Sequence, residues 1–230
     1  MGNKQMRIVS YNVHKARGVD RRYMPERILQ VINGLEADIV VLQEADKRLG
    51  QRVPAILPDL IKNETDFRPV DVSKNGISLG WHGNAVLIRP NIEVDQVTRL
   101  GLPGLEPRGA VRVDLKIGIG LSIVATHLGL RRRDRQAQLQ TLYQKTVDSP
   151  NTIIAGDFNE WSPHHGLEPL EGHFKTYAPG YTFHARRPMF ALDRFALSQG
   201  VEMRDAGVEQ GALARRASDH LPIWSDISVD

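Results

Sequence analysis

Apolar residues fall in short dense runs along this chain, and the spacing within the runs separates two kinds of element. Residues 7–11, 38–42, 84–88, 111–115, 121–125 and 152–155 are β-branched or alternating stretches, the signature of strands. Between them, Ile28, Ile32 and Leu35 recur at i, i+4 and i+7 behind Pro25, a residue suited to a first helical turn. Leu139, Leu142 and Tyr143 mark a second amphipathic helix. Residues 53–61 also have helical spacing, but Pro58 inside the stretch would remove a backbone hydrogen bond and argues against it. Residues 161–181, rich in Gly and Pro, read as a long loop with little regular structure. Strand and helix patterns interleave with no low-complexity linker, composition break or fixed repeat, which predicts an α/β chain organised as one domain over residues 1–230.

Polar residues close most of the apolar runs. Asn12 ends the run from Ile8, Glu44 the run from Ile39, His127 the run from Ile123, and Asp157 the run from Ile153. Ligand sites in α/β sheets lie at the carboxyl ends of strands, so the pattern supports one shared cleft. Taken singly, an Asn or Asp there is more often a turn former or helix cap, and a lone Glu is usually solvated. Complementary chemistry recurring at four strand ends outweighs those readings. In Gly156-Asp157-Phe158-Asn159, a strand that stays extended would put Asp157 and Asn159 on one side. In Ser218-Asp219-His220-Leu221-Pro222, neighbouring acid and imidazole would face apart on a regular strand, so a loop is expected to present them.

A compact domain of 230 residues buries roughly 70–75% of its unfolded surface, so a sizeable core is available. No apolar stretch approaches the ~20 residues of a membrane span, the start has no apolar secretory region, and Met6 stands where a myristoylation motif has Ser or Thr. The chain has no cysteine, which excludes thiolate zinc sites, cysteine nucleophiles and disulfides and fits a reducing compartment. A cytoplasmic, monomeric protein with no protein partner is expected. The net charge is only +3, but Arg131-Arg132-Arg133-Asp134-Arg135, Arg186-Arg187 and Arg215-Arg216 are clustered. Such runs are usually solvated faces, and they also suit a polyanion. Trp81, Trp161 and Trp224 are expected in partly buried core, with base stacking as the alternative.

A set of Asp, Glu, Asn and His without cysteine suits a hard divalent cation, and Mg²⁺ typically takes one or two carboxylates, several waters and substrate phosphate oxygens. Phosphate-ester hydrolysis fits: the remaining groups would orient and deprotonate water and stabilise charge on phosphoryl oxygens. A zinc hydrolase would show His-x-x-x-His, and His164-His165 has the wrong spacing. Gly-x-Ser-x-Gly and a Gly-rich loop ending in Gly-Lys-Ser/Thr are both absent.

The order of motifs resembles that of the endonuclease/exonuclease/phosphatase superfamily of metal-dependent phosphodiesterases. The match runs through Ser10-Tyr11-Asn12, Gln43-Glu44, Gly83-Asn84-Ala85, Thr126-His127, Gly156-Asp157-Phe158-Asn159, Leu192-Asp193-Arg194 and Ser218-Asp219-His220. The resemblance implies a four-layer α/β sandwich, two packed mixed β-sheets flanked by helices. It implies Glu44 as the main ligand of Mg²⁺, or of Mn²⁺ as the alternative, with Asn12 and Asp219 as further ligands or orienters. It makes Asp157 the general base or water positioner, while Asn159 orients nucleophile or phosphate. His127 would bond phosphoryl oxygens or assist the leaving group, and His220, paired with Asp193, would contact the scissile phosphate. Asn12, Asn84 and Arg108 would bind substrate, although Arg108 equally suits a turn after Pro107. The residues alone do not single out Asp193, which reads as a strand-edge acid beside Arg194.

Departures from particular branches narrow the substrate. Apurinic endonucleases of the superfamily usually carry an acid where this chain has His14, and often Tyr where it has His127. The His127 pattern looks closer to the pancreatic deoxyribonuclease and sphingomyelinase branches, yet no aromatic or apolar hairpin for membrane binding is evident in the sequence. The leading expectation is a Mg²⁺-dependent phosphodiester hydrolase acting on nucleic acid, as endonuclease or exonuclease, through activated water. The alternatives are a phospholipid or small phosphate-ester hydrolase and a catalytically silent phosphate-binding protein.

Overall fold

The computed structural model describes residues 4–163 and 165–229; of the pair His164-His165, the first lies outside the described residues. In chain order the strands are β1 (Lys4–Asn12), β2 (Ile39–Gln43), β3 (Arg68–Pro69), β4 (Ala85–Ile88), β5 (Val94–Gly101), β6 (Gly109–Leu115), β7 (Leu121–His127), β8 (Thr152–Asp157), β9 (Phe174–Tyr177), β10 (Asp193–Ser198), β11 (Val201–Val208) and β12 (Ile223–Val229). The helices are α1 (Pro25–Gly34), α2 (Pro58–Glu64), α3 (Arg132–Thr146) and the single turn α4 (Ala214–Ala217). The strands form two mixed six-stranded sheets, ordered β11-β12-β1-β2-β4-β3 and β5-β6-β7-β8-β10-β9.

Alternation along the strands builds the layers. Ile8, Val41 and Val86 of the first sheet pack against Val113, Ile123 and Ile153 of the second in one core between the sheets. The residues between them point outward: Val9, Tyr11, Val40 and Leu42 meet Ile28, Leu29 and Ile32 of α1. Val124 and Ile154 meet Leu139 and Leu142 of α3 in the same way. Central strands are thus buried on both faces, which is why they read as nearly unbroken apolar runs. The result is the α/β sandwich, with helices outside both sheets.

Three local expectations are corrected. Pro58 does not interrupt a helix but opens one, because its missing N–H falls in the first turn, where helical N–H groups have no internal partner. Residues 161–181 are not only loop: they contain a 3₁₀ turn, Glu168–Leu170, and β9, which pairs with β10. The edge strands β5 and β11 went unread because half-exposed positions there carry polar residues, leaving no apolar run. No helix among the described residues is long and apolar enough to cross a membrane.

Candidate active site

Each sheet contains one parallel pair, and these two pairs set the site. β1 and β2, joined through α1, run parallel with Asn12 opposite Gln43. β7 and β8, joined through α3, run parallel with His127 opposite Asp157. Parallel neighbours end at the same edge of a sheet, so Asn12 and Glu44 leave one sheet together, and His127 and Asp157 leave the other. Antiparallel β10 then places its first residue, Asp193, across from Asp157. The loop after α4 delivers Asp219 and His220, and Ser218 Oγ anchors that loop by donating to the Asn12 carbonyl at 2.7 Å. Gly156 permits the close approach of β7 and β8: its φ is +155°, and a Cβ there would land on the carbonyl oxygen of Thr126.

Asp157 is the meeting point. Its Oδ2 accepts from Asn12 Nδ2 at 3.0 Å and lies 3.4 Å from His127 Nε2 and 3.6 Å from His220 Nε2. Its Oδ1 accepts the backbone N–H of Asn159 at 2.9 Å. On its far side the His220 ring meets Asp193, with Nδ1 2.8 Å from Oδ2. Asp157, Asp193, His127 and His220 are all buried.

Burial and mutual charge set the ionisation of this group. Burial raises the Asp157 carboxyl and Asp193 raises it further, while His220, the Asn159 N–H and Asn12 pull it back toward the ionised form. For His220, burial alone would lower the imidazolium, but Asp193 and Asp157 outweigh it and push the ring up to about 10. His127 goes the other way: burial, then Arg108, His220, Lys15 and Arg48, hold it well below the ordinary histidine value. The site therefore pairs one imidazolium with one neutral imidazole around a single carboxylate.

Glu44 lines a cleft together with His127 of this group and has a left-handed backbone conformation (φ 55°). Its carboxylate is ion-paired with the Lys15 ammonium. His14, Lys15 and Ala16 are also left-handed, with φ of 45°, 56° and 57°. Non-glycine residues in that region cost about 1–3 kcal/mol each and collect at functional sites. Asp219 Oδ1 lies 3.7 Å from His14 Nδ1. Asp157, Asp193 and His220 form a cluster whose donor atoms could hold a metal ion, although they are engaged with one another.

The remaining candidates sit differently. The chain leaves extended geometry after Asp157, so the shared strand face expected for Asp157 and Asn159 is not formed. Asn159 turns into the left-handed region (φ 50°), and its side chain donates to the Leu128 carbonyl at 2.9 Å. Asn84 is buried and donates to the Gly109 carbonyl at 2.8 Å, tying the start of β4 to the start of β6; its Oδ1 is buried without a partner among the described residues. Arg108, one residue earlier, lines the cleft with His127 and donates to Glu106 Oε2 at 2.9 Å.

Sequence reasoning also missed or misplaced several groups. The positive charge in the cleft comes from Lys15, Lys47, Arg48, Arg52 and Arg108 rather than from the arginine runs. Within those runs, Arg135 is buried against Glu160, and Arg216 pairs with Asp20. Trp81 and Trp224 are partly buried beside the cores, as expected, but Trp161 is 48% exposed. Its ring packs edge-on against Phe190 and Phe183 of a hairpin, and Phe183 lies 5.0 Å from His220. The hairpin also exposes Tyr181 and Met189, so an aromatic, apolar hairpin does flank the site, contrary to the sequence reading. The signal was there only as scattered residues: Trp161 and Tyr181 bound the stretch read as loop, and Phe183, Met189 and Phe190 follow it.

Comparison with known proteins agrees with this architecture. Residues 9–220 match the model of the Endonuclease/Exonuclease/phosphatase family. An uncharacterized protein of Escherichia coli K12, YbhP, is 28% identical over 97% of this chain and 96% of its own. A family protein from Bacteroides thetaiotaomicron superposes with a TM-score of 0.80 at 17% identity, covering 100% of both chains. D. rerio TDP2, complexed with a single-strand DNA product, gives 0.74 at 19% identity over 97% of this chain and 99% of that one. A match of this extent, on two mixed sheets with their parallel-strand ends converging, means that the chain belongs to the endonuclease/exonuclease/phosphatase family, whose members hydrolyse phosphoester bonds.

Proposed function

We propose that this chain, acting as one domain, is a Mg²⁺-dependent phosphodiester hydrolase of nucleic acid that uses activated water. The observation carrying the reading is Asp157 Oδ2, set between Asn12 and two imidazoles of opposite ionisation, one of which, His127, lines a cleft together with Glu44. The donor set fits a hard cation: Glu44, Asp219 and the Asn12 amide oxygen are all oxygen donors, and Glu44 already faces a cation in Lys15. These residues would hold Mg²⁺, with Mn²⁺ as the alternative, which when bound neutralises phosphoryl charge and acidifies water.

The chain's own groups divide the remaining work. Asp157 takes the proton of the attacking water at Oδ2; its raised pKa makes it a stronger base than an exposed Asp. Asn159 and Asn12 fix that carboxylate from both sides, so Asn159 orients the nucleophile through it. His220, held as imidazolium by Asp193, directs Nε2–H at the scissile phosphate. Neutral His127 donates its N–H to a phosphoryl oxygen and supports the leaving group. Arg108 clamps phosphate, and Asn84 contributes by holding the Gly109 carbonyl next to it.

The preference for nucleic acid rests on the basic cleft, on the aromatic shelf of Trp161 and Phe190, which suits base stacking, and on the DNA product in TDP2. The exposed Tyr181, Met189 and Phe190 favour a second reading, a phospholipid hydrolase that inserts this hairpin into a lipid surface. Mg²⁺-dependent product release from DNA, RNA, phospholipid vesicles and small phosphate esters, with Asp157→Ala as control, separates the readings. Turnover of nucleic acid that EDTA abolishes and Asp157→Ala lacks is expected. Turnover of phospholipid alone would install the second reading, and no turnover by the folded protein would remove both.

A further inference from the structure

The two flanks of the candidate centre differ in chemistry. Beyond His220 the wall is aromatic; beyond His127 it is basic. On the basic side the loop after Glu44 carries Lys47, Arg48 and Arg52 into one cleft with Arg108 and His82. The nearby acids do not balance them. Asp46 is buried and engaged by the backbone N–H groups of Leu79 and Gly80 at 2.7 and 3.0 Å. Glu44 is paired with Lys15, and Glu106 with Arg108.

What remains is open cation. The Lys47 ammonium has no hydrogen bond or ion pair among the described residues, and Arg48 reaches Glu106 only at 3.9 Å. Among the described residues the Arg52 guanidinium meets His82 Nδ1 at 3.4 Å, and its charge also acts on the buried Asp46 carboxyl. Burial lowers the His82 imidazolium, and Arg52 and Arg108 lower it further against the Pro107 carbonyl, so the cleft also disfavours another cation. An unpartnered Lys47 with the loosely held Arg48 and Arg52, in a cleft also lined by His127, is placed to receive an anion.

We propose that Lys47, Arg48 and Arg52 form a second phosphate subsite, which holds a phosphate flanking the scissile one. The inference rests on the nucleic-acid reading above and gives the substrate a direction: the phosphate-bearing strand continues past His127, and a base or other ring lies past His220. A substrate with one phosphate fills only half of this site.

The test is binding in EDTA, without turnover, of a dithymidine monophosphate and of a longer oligothymidylate. The longer strand should bind the parent protein about tenfold more tightly, and Arg48→Gln with Arg52→Gln should remove most of that increment. Two lost contacts should also reduce the salt slope for the longer strand by about 1.4, at roughly 0.7 per contact for a single strand. Arg186→Gln with Arg187→Gln, the same charge change on the aromatic side, should leave the increment in place. Lys47→Gln, whose side chain holds nothing else, provides the single variant if the double one fails to fold. Equal weakening of both strands, or an equal loss in the control pair, would overturn the subsite. Because no hydrolysis is needed, a lost increment stands even if no substrate turns over, and turnover without any increment removes the subsite while keeping the hydrolase.

Discussion

His220 Nδ1 and Asp193 Oδ2 lie 2.8 Å apart in a place closed to solvent, and this contact decides the charge of the ring beside Asp157. Burial disfavours the imidazolium, Asp193 and Asp157 favour it, and the balance puts the ring at about 10. In the unfolded chain the same ring titrates near 6.5. The raised value adds stability that is fully present below about 6.5 and lost as the pH climbs toward about 10. The urea midpoint of the parent should fall across that window, and more shallowly in His220→Gln. In Asp193→Asn, a ¹⁵N NMR titration should find the ring far lower, since burial then acts with less opposition.

Asp157→Asn keeps the shape of the centre and removes its base. The rate should drop about 10²–10⁴-fold with little change in KM. In the parent, activity should rise with pH as Asp157 ionises, around 6, because only the carboxylate accepts a proton. An acidic limb that persists unchanged in Asp157→Asn would assign it to another group.

Lys15 and a divalent cation compete for the same carboxylate, that of Glu44. Lys15→Met should therefore enlarge the rise in melting temperature on adding Mg²⁺, because binding no longer has to displace an ammonium. An unchanged or smaller rise would place the cation elsewhere.

Arg135 and Glu160 form a buried pair at 2.8 Å beneath the turn that carries Asn159. Arg135→Leu should cost about 3–5 kcal/mol in urea unfolding, since it leaves a buried carboxylate without its partner. Exposed Arg132, 3.6 Å from Glu168, should change stability by about 0.5 kcal/mol or less when replaced by Ala.

Gly156→Ala places a methyl group on the Thr126 carbonyl at a backbone angle that L-residues avoid. β7 and β8 would have to separate at their carboxyl ends, so soluble yield and activity should fall together. Normal melting with normal activity would show that this approach is not needed.

Much of the fold was legible because it rests on local pattern. The central strands β1, β2, β4, β6, β7 and β8 appear as apolar or alternating runs, whereas interior β10 and β12 went unread, and α1 announces itself through Pro25 and the spacing of Ile28, Ile32 and Leu35. Strand ends also exposed Asn12, Glu44, His127 and Asp157, because polar groups closing apolar runs are a one-dimensional signal. Asp193 gave no such signal of its own, since it begins an antiparallel strand rather than ending a parallel one. The tertiary structure alone decided which charges meet. It buried Arg135 out of an apparent basic run, gathered Lys47, Arg48 and Arg52 into one cleft with Arg108, and set Trp161 on the hairpin beside His220. The physical reason is range: hydrophobic periodicity is fixed by neighbours a few residues apart, whereas pairing and pKa depend on groups far apart in the chain, 145 residues for Asn12 and Asp157 and 206 for Asn12 and Ser218.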